Sequence, residues 1–299
     1  MKRKFDQLRA NLDEFVQQDE YPLLVVGCRP DELAYVIKFL QSLEEIHPAH
    51  LFAVFHQPFP NAATYLDEVV ASVQVQLEAA APLRAERGEP PIPALPLSVL
   101  DSRRDPGQRL VELIDHLRLL LPNEDEFRLV LGFLPLQCQD PQAYVDLVKA
   151  LLSVTEPAAW MHAVRIVVYE DRDLRLLLTS LTPESVIHVL AFEVDFSPAA
   201  MADALVEDAS DRSLPVPERM LALLQLAAID YSYKRYDLAH AKYAALFEYY
   251  GRAGSRRCRL CAWPAPETPC TPPATHRRRN DACSKASPSH CRTAACRSC

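Results

Sequence analysis

Two places in this 299-residue chain carry side chains whose types and spacing could do chemistry. The first is Leu23-Leu-Val-Val-Gly-Cys-Arg-Pro-Asp-Glu-Leu-Ala34. An apolar run, then a turn with Gly27 and Arg29, then an amphipathic stretch would set backbone N–H groups and a guanidinium where an anion can sit at a helix N-terminus. Cys28 lies in the same turn, and a helix N-terminus can lower a thiol pKa and activate it. The second place is the C-terminal end. Cys258-x-x-Cys261 and Cys296-x-x-Cys299 are two chelating pairs, the chemistry of tetrahedral zinc.

Each signal weakens when its neighbours are read. A loop that cradles phosphates needs G-x-x-x-x-G-K-[ST], with the lysine on the outer phosphates and the hydroxyl on magnesium. Counted from Gly27, those last three positions hold Glu32, Leu33 and Ala34. A phosphatase-type loop would need arginine at 34, so Cys28 reads as a buried structural residue. Asp31 and Glu32 oppose an anion near Arg29. Magnesium also needs an acid at the end of a later strand, and Val130-Leu-Gly-Phe-Leu-Pro-Leu-Gln137 has none. Glu170-Asp171 is the best acidic pair at a strand end; exposed loop acids are the commoner explanation. There is no G-x-S-x-G, G-x-G-x-x-G or H-E-x-x-H. His47, His50 and His56 straddle a turn and a strand and read as ordinary surface or core residues. No residue is assigned a catalytic role.

The zinc reading meets a similar objection. Paired C-x-x-C motifs are specific when about 15–20 residues separate them. Here the spacer is rich in proline, and after Trp263 it has no Leu, Ile, Val, Phe, Tyr or Met. Structural zinc sites still need packing around the metal. With nothing to build a core, residues 255–299 read as a disordered Cys/Arg/Pro-rich tail. One reading of the abrupt change is out-of-frame translation of a GC-rich gene, which resequencing the locus tests.

Charge divides at the same point. Residues 255–299 carry nine Lys/Arg and two Asp/Glu, leaving 23 basic and 38 acidic residues in the body. An acidic body is a poor nucleic-acid binder. No apolar run approaches the length needed to span a membrane. The body has two scattered cysteines, Cys28 and Cys138, and no secretory h-region follows Met1-Lys-Arg-Lys4, so a cytoplasmic location is expected.

The elements that must position these residues alternate. Helical periodicity appears over 2–18, 31–46, 61–80, 105–121, 140–152 and 197–209, with a short helix near 172–180. Apolar strands are expected at 22–27, 51–56, 127–134, 163–169 and 185–192. Asn61, Asp105-Pro106, Asp140-Pro141 and Ser197-Pro198 are helix-start signals. Pro82 to Pro96 reads as an exposed loop. Near-continuous apolar strands between helices predict an α/β domain over 1–210, with a five-stranded, mostly parallel sheet covered on both faces. Residues 211–254 read as a helical hairpin, 217–233 and 236–250.

Within that hairpin Ala239 precedes Tyr243 by four, and Leu226-Ala227 and Tyr231 fall near the Leu-Gly and Tyr positions of a tetratricopeptide repeat, which the hairpin resembles. The order of elements and the placement of Leu23–Gly27 resemble a degenerate P-loop ATPase module of the signalling type, in which a nucleotide-binding domain precedes helical repeats. That family implies ATP, magnesium and nucleotide-driven switching. Its catalytic residues do not carry over, because Glu32, Leu33 and Ala34 replace them. The expectation is a non-catalytic interaction or scaffold protein with a protein partner and no cofactor. The alternatives are a nucleotide-sensing ATPase holding ATP and magnesium near Gly27 and Arg29, or zinc on Cys258, Cys261, Cys296 and Cys299.

Overall fold

The computed structural model describes residues 2–153 and 158–252. The proposed zinc ligands and the tail lie outside them. The first part of the chain is an α/β layer structure. Helix α1 (Lys2–Gln17) leads to β1 (Leu23–Cys28), α2 (Leu33–Ile46), β2 (Leu51–Phe55) and α3 (Ala62–Glu86). A short turn α4 (Leu97–Leu100) and α5 (Pro106–Arg118) precede β3 (Leu129–Phe133) and α6 (Pro141–Leu152). Then come α7 (Trp160–Ala163), β4 (Val164–Asp171), α8 (Leu176–Ser180), α9 (Pro183–Val186) and β5 (Val189–Glu193). Three helices close the described chain: α10 (Pro198–Ser210), α11 (Val216–Ser232) and α12 (Tyr236–Arg252).

All strand pairs are parallel, in the order β2-β3-β4-β1-β5. The two faces of the sheet carry separate cores, as period-2 side-chain alternation requires. Leu24, Val26, Val130 and Val167 pack with α1 and α2 on one face. Leu23, Val25, Leu131, Ile166 and Val168 pack with α3, α5 and α6 on the other. Strand β1 therefore sends its chain to one face through α2, while its neighbour β4 sends its chain to the opposite face through α8. Adjacent strands whose connections diverge leave a crevice at their carboxyl ends.

The helix starts follow the capping chemistry. Asn61, Asp105, Asp140 and Ser197 accept the N–H three residues on, at 2.9, 2.9, 3.0 and 3.2 Å. Two boundaries differ from the sequence expectation. Helix α3 runs through Pro82, where a loop was expected, and closes at Gly88 in the left-handed region, φ 68°. Its outer end is exposed, so the missing proline N–H leaves no buried carbonyl to satisfy. Residues 185–188 are also not strand. Thr182 caps α9 with Pro183 at its first position, and that local signal overrides the apolar run Val186-Ile187.

Helix α10 joins the helices that follow it, through a small core of Leu205, Ala222 and Leu226. Helices α11 and α12 pack on each other at Ala227, Ala239 and Leu246. Asp230, 5% exposed, bonds Arg235 at 2.9 Å and Lys242 at 2.6 Å and so ties the two helices together. Tyr231, which falls near the Tyr position of the repeat that the hairpin resembles, is 49% exposed and meets Tyr236 edge-on. Among the described residues no helix is long and apolar enough to cross a membrane.

At the opposite edge of the sheet, Asp13 on α1, His47 after α2 and His50 before β2 form a chain. His47 Nε2 lies 2.5 Å from Asp13 Oδ1, and the two imidazoles stack at 5.7 Å. His50 Nδ1 accepts the Arg128 N–H at 3.3 Å. Burial, with His47 and Arg128 beside it, holds the His50 pKa below its ordinary value. The unfolded chain therefore binds more protons at this residue, and folding loses stability as pH falls through about 6.5. His50→Asn keeps an acceptor and removes the titration. Urea midpoints taken at pH 7.5 and 5.5 are expected to differ less in the variant than in the parent chain.

Candidate functional site

The strand–turn–helix around residue 27 is built differently from a phosphate cradle. Gly27 does not begin the turn. It is a strand residue with neighbours on both sides, in register with Glu170 of β4 and Glu193 of β5. Its carbonyl accepts the Val194 N–H at 2.7 Å. A Cβ here would come within 3.3 Å of Glu193 Cγ, so glycine serves close strand packing. The strand continues through Cys28, and only Arg29 to Glu32 turn. Glu32 N–H donates to the Arg29 carbonyl at 2.9 Å, a four-residue turn with Pro30 at its second position.

Glu32 fills the space inside that turn. It is 2% exposed. One carboxylate oxygen accepts the Arg29 N–H at 3.0 Å and the other accepts the Phe196 N–H at 2.7 Å. The reach back to a residue three earlier has the geometry of half a capping box, set one turn ahead of α2, whose own N-cap is Glu32. Thus an internal anion takes the loop N–H that a bound phosphate would use. The local run Arg29-Pro-Asp-Glu32 encodes both the turn and the reach of Glu32 back to the Arg29 N–H. Leu33, at the lysine position, is fully buried in the core under the sheet.

The charges around this edge are internally matched. The Arg29 guanidinium stands 3.7 Å from Asp31 and 3.5 Å from Glu32. Arg172 lies 3.3 Å from Asp195 and donates to the Val194 carbonyl at 2.9 Å; Arg175 lies 2.5 Å from Glu193. Cys28 is fully buried, and burial, then the nearby Glu32 carboxylate, push its thiol up to about 12. That is the reverse of an activated nucleophile.

A cavity of about 330 Å³ opens beyond the carboxyl ends of β3 and β4, between the β3–α6 loop, α6 and α8, with Pro30 of this turn in its lining. Pro30, Pro135, Pro141, Val145, Leu174 and Leu177 give it apolar walls. Tyr144 and Tyr169 form its inner side. The Tyr144 hydroxyl donates to the Phe133 carbonyl at 2.7 Å and accepts the Tyr169 N–H at 3.1 Å, which joins α6 to β3 and β4. Glu170 and Asp171 supply the acidic wall. Glu170 is not an exposed loop acid; it is 5% exposed and accepts the Leu178 N–H at 3.0 Å. Burial raises its pKa, against the pull of the Leu177 and Leu178 N–H groups.

The sequence put Gly27, Cys28 and Arg29 after one strand and Glu170-Asp171 at the end of another without setting their order, and the fold makes those strands neighbours, with Gly27 opposite Glu170. It did not anticipate the cavity, because the cavity depends on strand order. Among the described residues no group of three or more His, Cys, Asp and Glu could hold a metal ion.

No family model matches this chain, and neither does any curated protein. Among solved structures, the crystal structure of Cdc6p from Pyrobaculum aerophilum is similar with a TM-score of 0.35 and 16% identity, over 75% of this chain and 54% of that one. The chain thus spans about half the length of that protein. A likeness of this size assigns neither fold nor activity. What the fold defines by itself is a class: a parallel α/β sheet covered on both faces, followed by packed helices.

Proposed function

We propose that the chain is a non-catalytic interaction protein, in which the position a phosphate loop would take is closed from within. The observation that carries this reading is the Glu32 carboxylate bonded to the Arg29 and Phe196 N–H groups. A nucleotide would have to displace a buried anion and then find neither lysine nor hydroxyl, because Leu33 lies in the core and Ala34 has no polar group. The three arginines at this edge already serve the chain's own carboxylates. Support for a protein partner comes from the last two helices. Leu221, Tyr233, Tyr236, Leu238 and Phe247 are all at least 40% exposed, and large aromatics of this kind are enriched where proteins meet.

Calorimetric titration of the full chain with ATP, with and without magnesium, tests the reading. The expected result is no saturable heat up to millimolar ATP in either condition. Saturable, magnesium-dependent binding would replace it with a nucleotide-sensing ATPase that uses an atypical loop.

A further inference from the structure

We infer that the cavity at the carboxyl ends of β3 and β4, between α6 and α8, is a binding site for a small lipophilic ammonium ion, a protonated amine on an aliphatic or aromatic body. Its volume of about 330 Å³ lies at the small end of the range for ligand sites, and it lies outside the carboxyl ends of the strands, the side on which open parallel sheets take ligands. The walls are mostly apolar. Prolines 30, 135 and 141, with Val145 and Leu177, come from four different segments and have little freedom to collapse inward. The charged groups of the lining lie together where Glu170 and Asp171 end β4, while Gln137 and Cys138 line it from the β3–α6 loop. No lysine or arginine lines the cavity. Arg172 and Arg175, next along the chain, are turned to Asp195 and Glu193.

The ligand chemistry follows from that asymmetry. An anion such as a nucleotide phosphate would face two carboxyl groups and no counter-charge. A neutral apolar molecule would leave Glu170 and Asp171 with only the backbone N–H groups of Leu178 and Asp173 as partners. A cation with an apolar body answers both walls, since an ammonium beside carboxylates in a low-dielectric crevice is attracted far more strongly than in water. Glu170 is already oriented by Leu178 N–H, so little ordering is required when the ligand arrives. This inference goes beyond the interaction role and uses different atoms from those that close the Glu32 turn. ATP titration and amine titration can therefore fail independently.

The test is a titration of the full, nitrogen-15-labelled chain by NMR with three probes of one shape: phenylbutylamine, phenylbutanol and phenylbutanoic acid. Phenylbutylamine is expected to shift the Leu177, Leu178 and Asp171 amide signals saturably, roughly tenfold more tightly than phenylbutanol, with no binding of phenylbutanoic acid. Asp171→Asn and Glu170→Gln should each weaken the amine severalfold and leave phenylbutanol unchanged, with native-like spectra elsewhere. Cys138→Phe, which fills the cavity from its half-buried side, should abolish both. Equal affinity for amine and alcohol, or saturation by the carboxylate, would overturn the inference. So would the absence of any saturable shift at these amides.

Discussion

Arg165→Ala is expected to cost the chain about 3–5 kcal/mol, read as a lower urea midpoint with an unchanged slope. Arg165 is fully buried at the start of β4, on the face opposite the main core. Its Nε donates to the Gln18 carbonyl at 2.8 Å. Its Nη1 serves the carbonyls of Met161, His162 and Val164 at 3.3, 3.1 and 3.0 Å, and Nη2 bonds Asp19 at 2.9 Å. One side chain thus ties the α1–β1 connection to α7 and β4. Removing it leaves a void where a long side chain stood and several carbonyls without a donor. Burial, then repulsion from Arg128, lowers the Arg165 pKa to about 10, so the group remains charged at neutral pH. Asp19→Ala should cost less, because Asp19 is 65% exposed and water can solvate part of what it leaves. A loss below about 1 kcal/mol for Arg165→Ala would mean that the network is ornamental.

Glu32→Ala is expected to lose about 1–3 kcal/mol, since two part-buried N–H groups, those of Arg29 and Phe196, lose their acceptor together. Part of the loss falls on α2, whose first turn loses a negative charge near its N-terminus. Part falls on the segment after β5, because Phe196 packs its ring at a tilt against Phe5 of α1, centroids 4.8 Å apart. Glu32→Gln should lie between, since one amide oxygen can serve one N–H. The alanine variant is also expected to show no ATP binding, because Leu33 stays in the core. A Glu32→Ala chain that is as stable as its parent and binds ATP would show that the carboxylate had been blocking a working loop.

Much of this architecture could be read along the chain. Apolar runs such as Leu23–Val26 and Val130–Leu131 announce strands buried on both faces, and Asp105-Pro106 or Asp140-Pro141 mark helix starts through local hydrogen bonds. What escaped was set by partners distant in sequence. The reach of β1 through Cys28 depends on β4, whose Asp171 pairs with it. Glu170 reads as a loop acid in sequence and becomes a buried acid only because α8 folds back to offer the Leu178 N–H. The Glu32 interaction was half legible: its reach to Arg29 is local, while its bond to Phe196 spans 164 residues. Strand order, and with it the crevice, rests on packing that no single segment encodes.

The closure of the turn by Glu32 is tested most directly by the backbone amides it holds. Nitrogen-15 NMR of the full chain should show the Arg29 and Phe196 N–H signals protected from hydrogen exchange, unmoved by millimolar ATP with magnesium, and exposed in Glu32→Ala. Rapid exchange of these two amides in the parent chain, or a saturable shift of the Arg29 signal on adding ATP and magnesium, would contradict it.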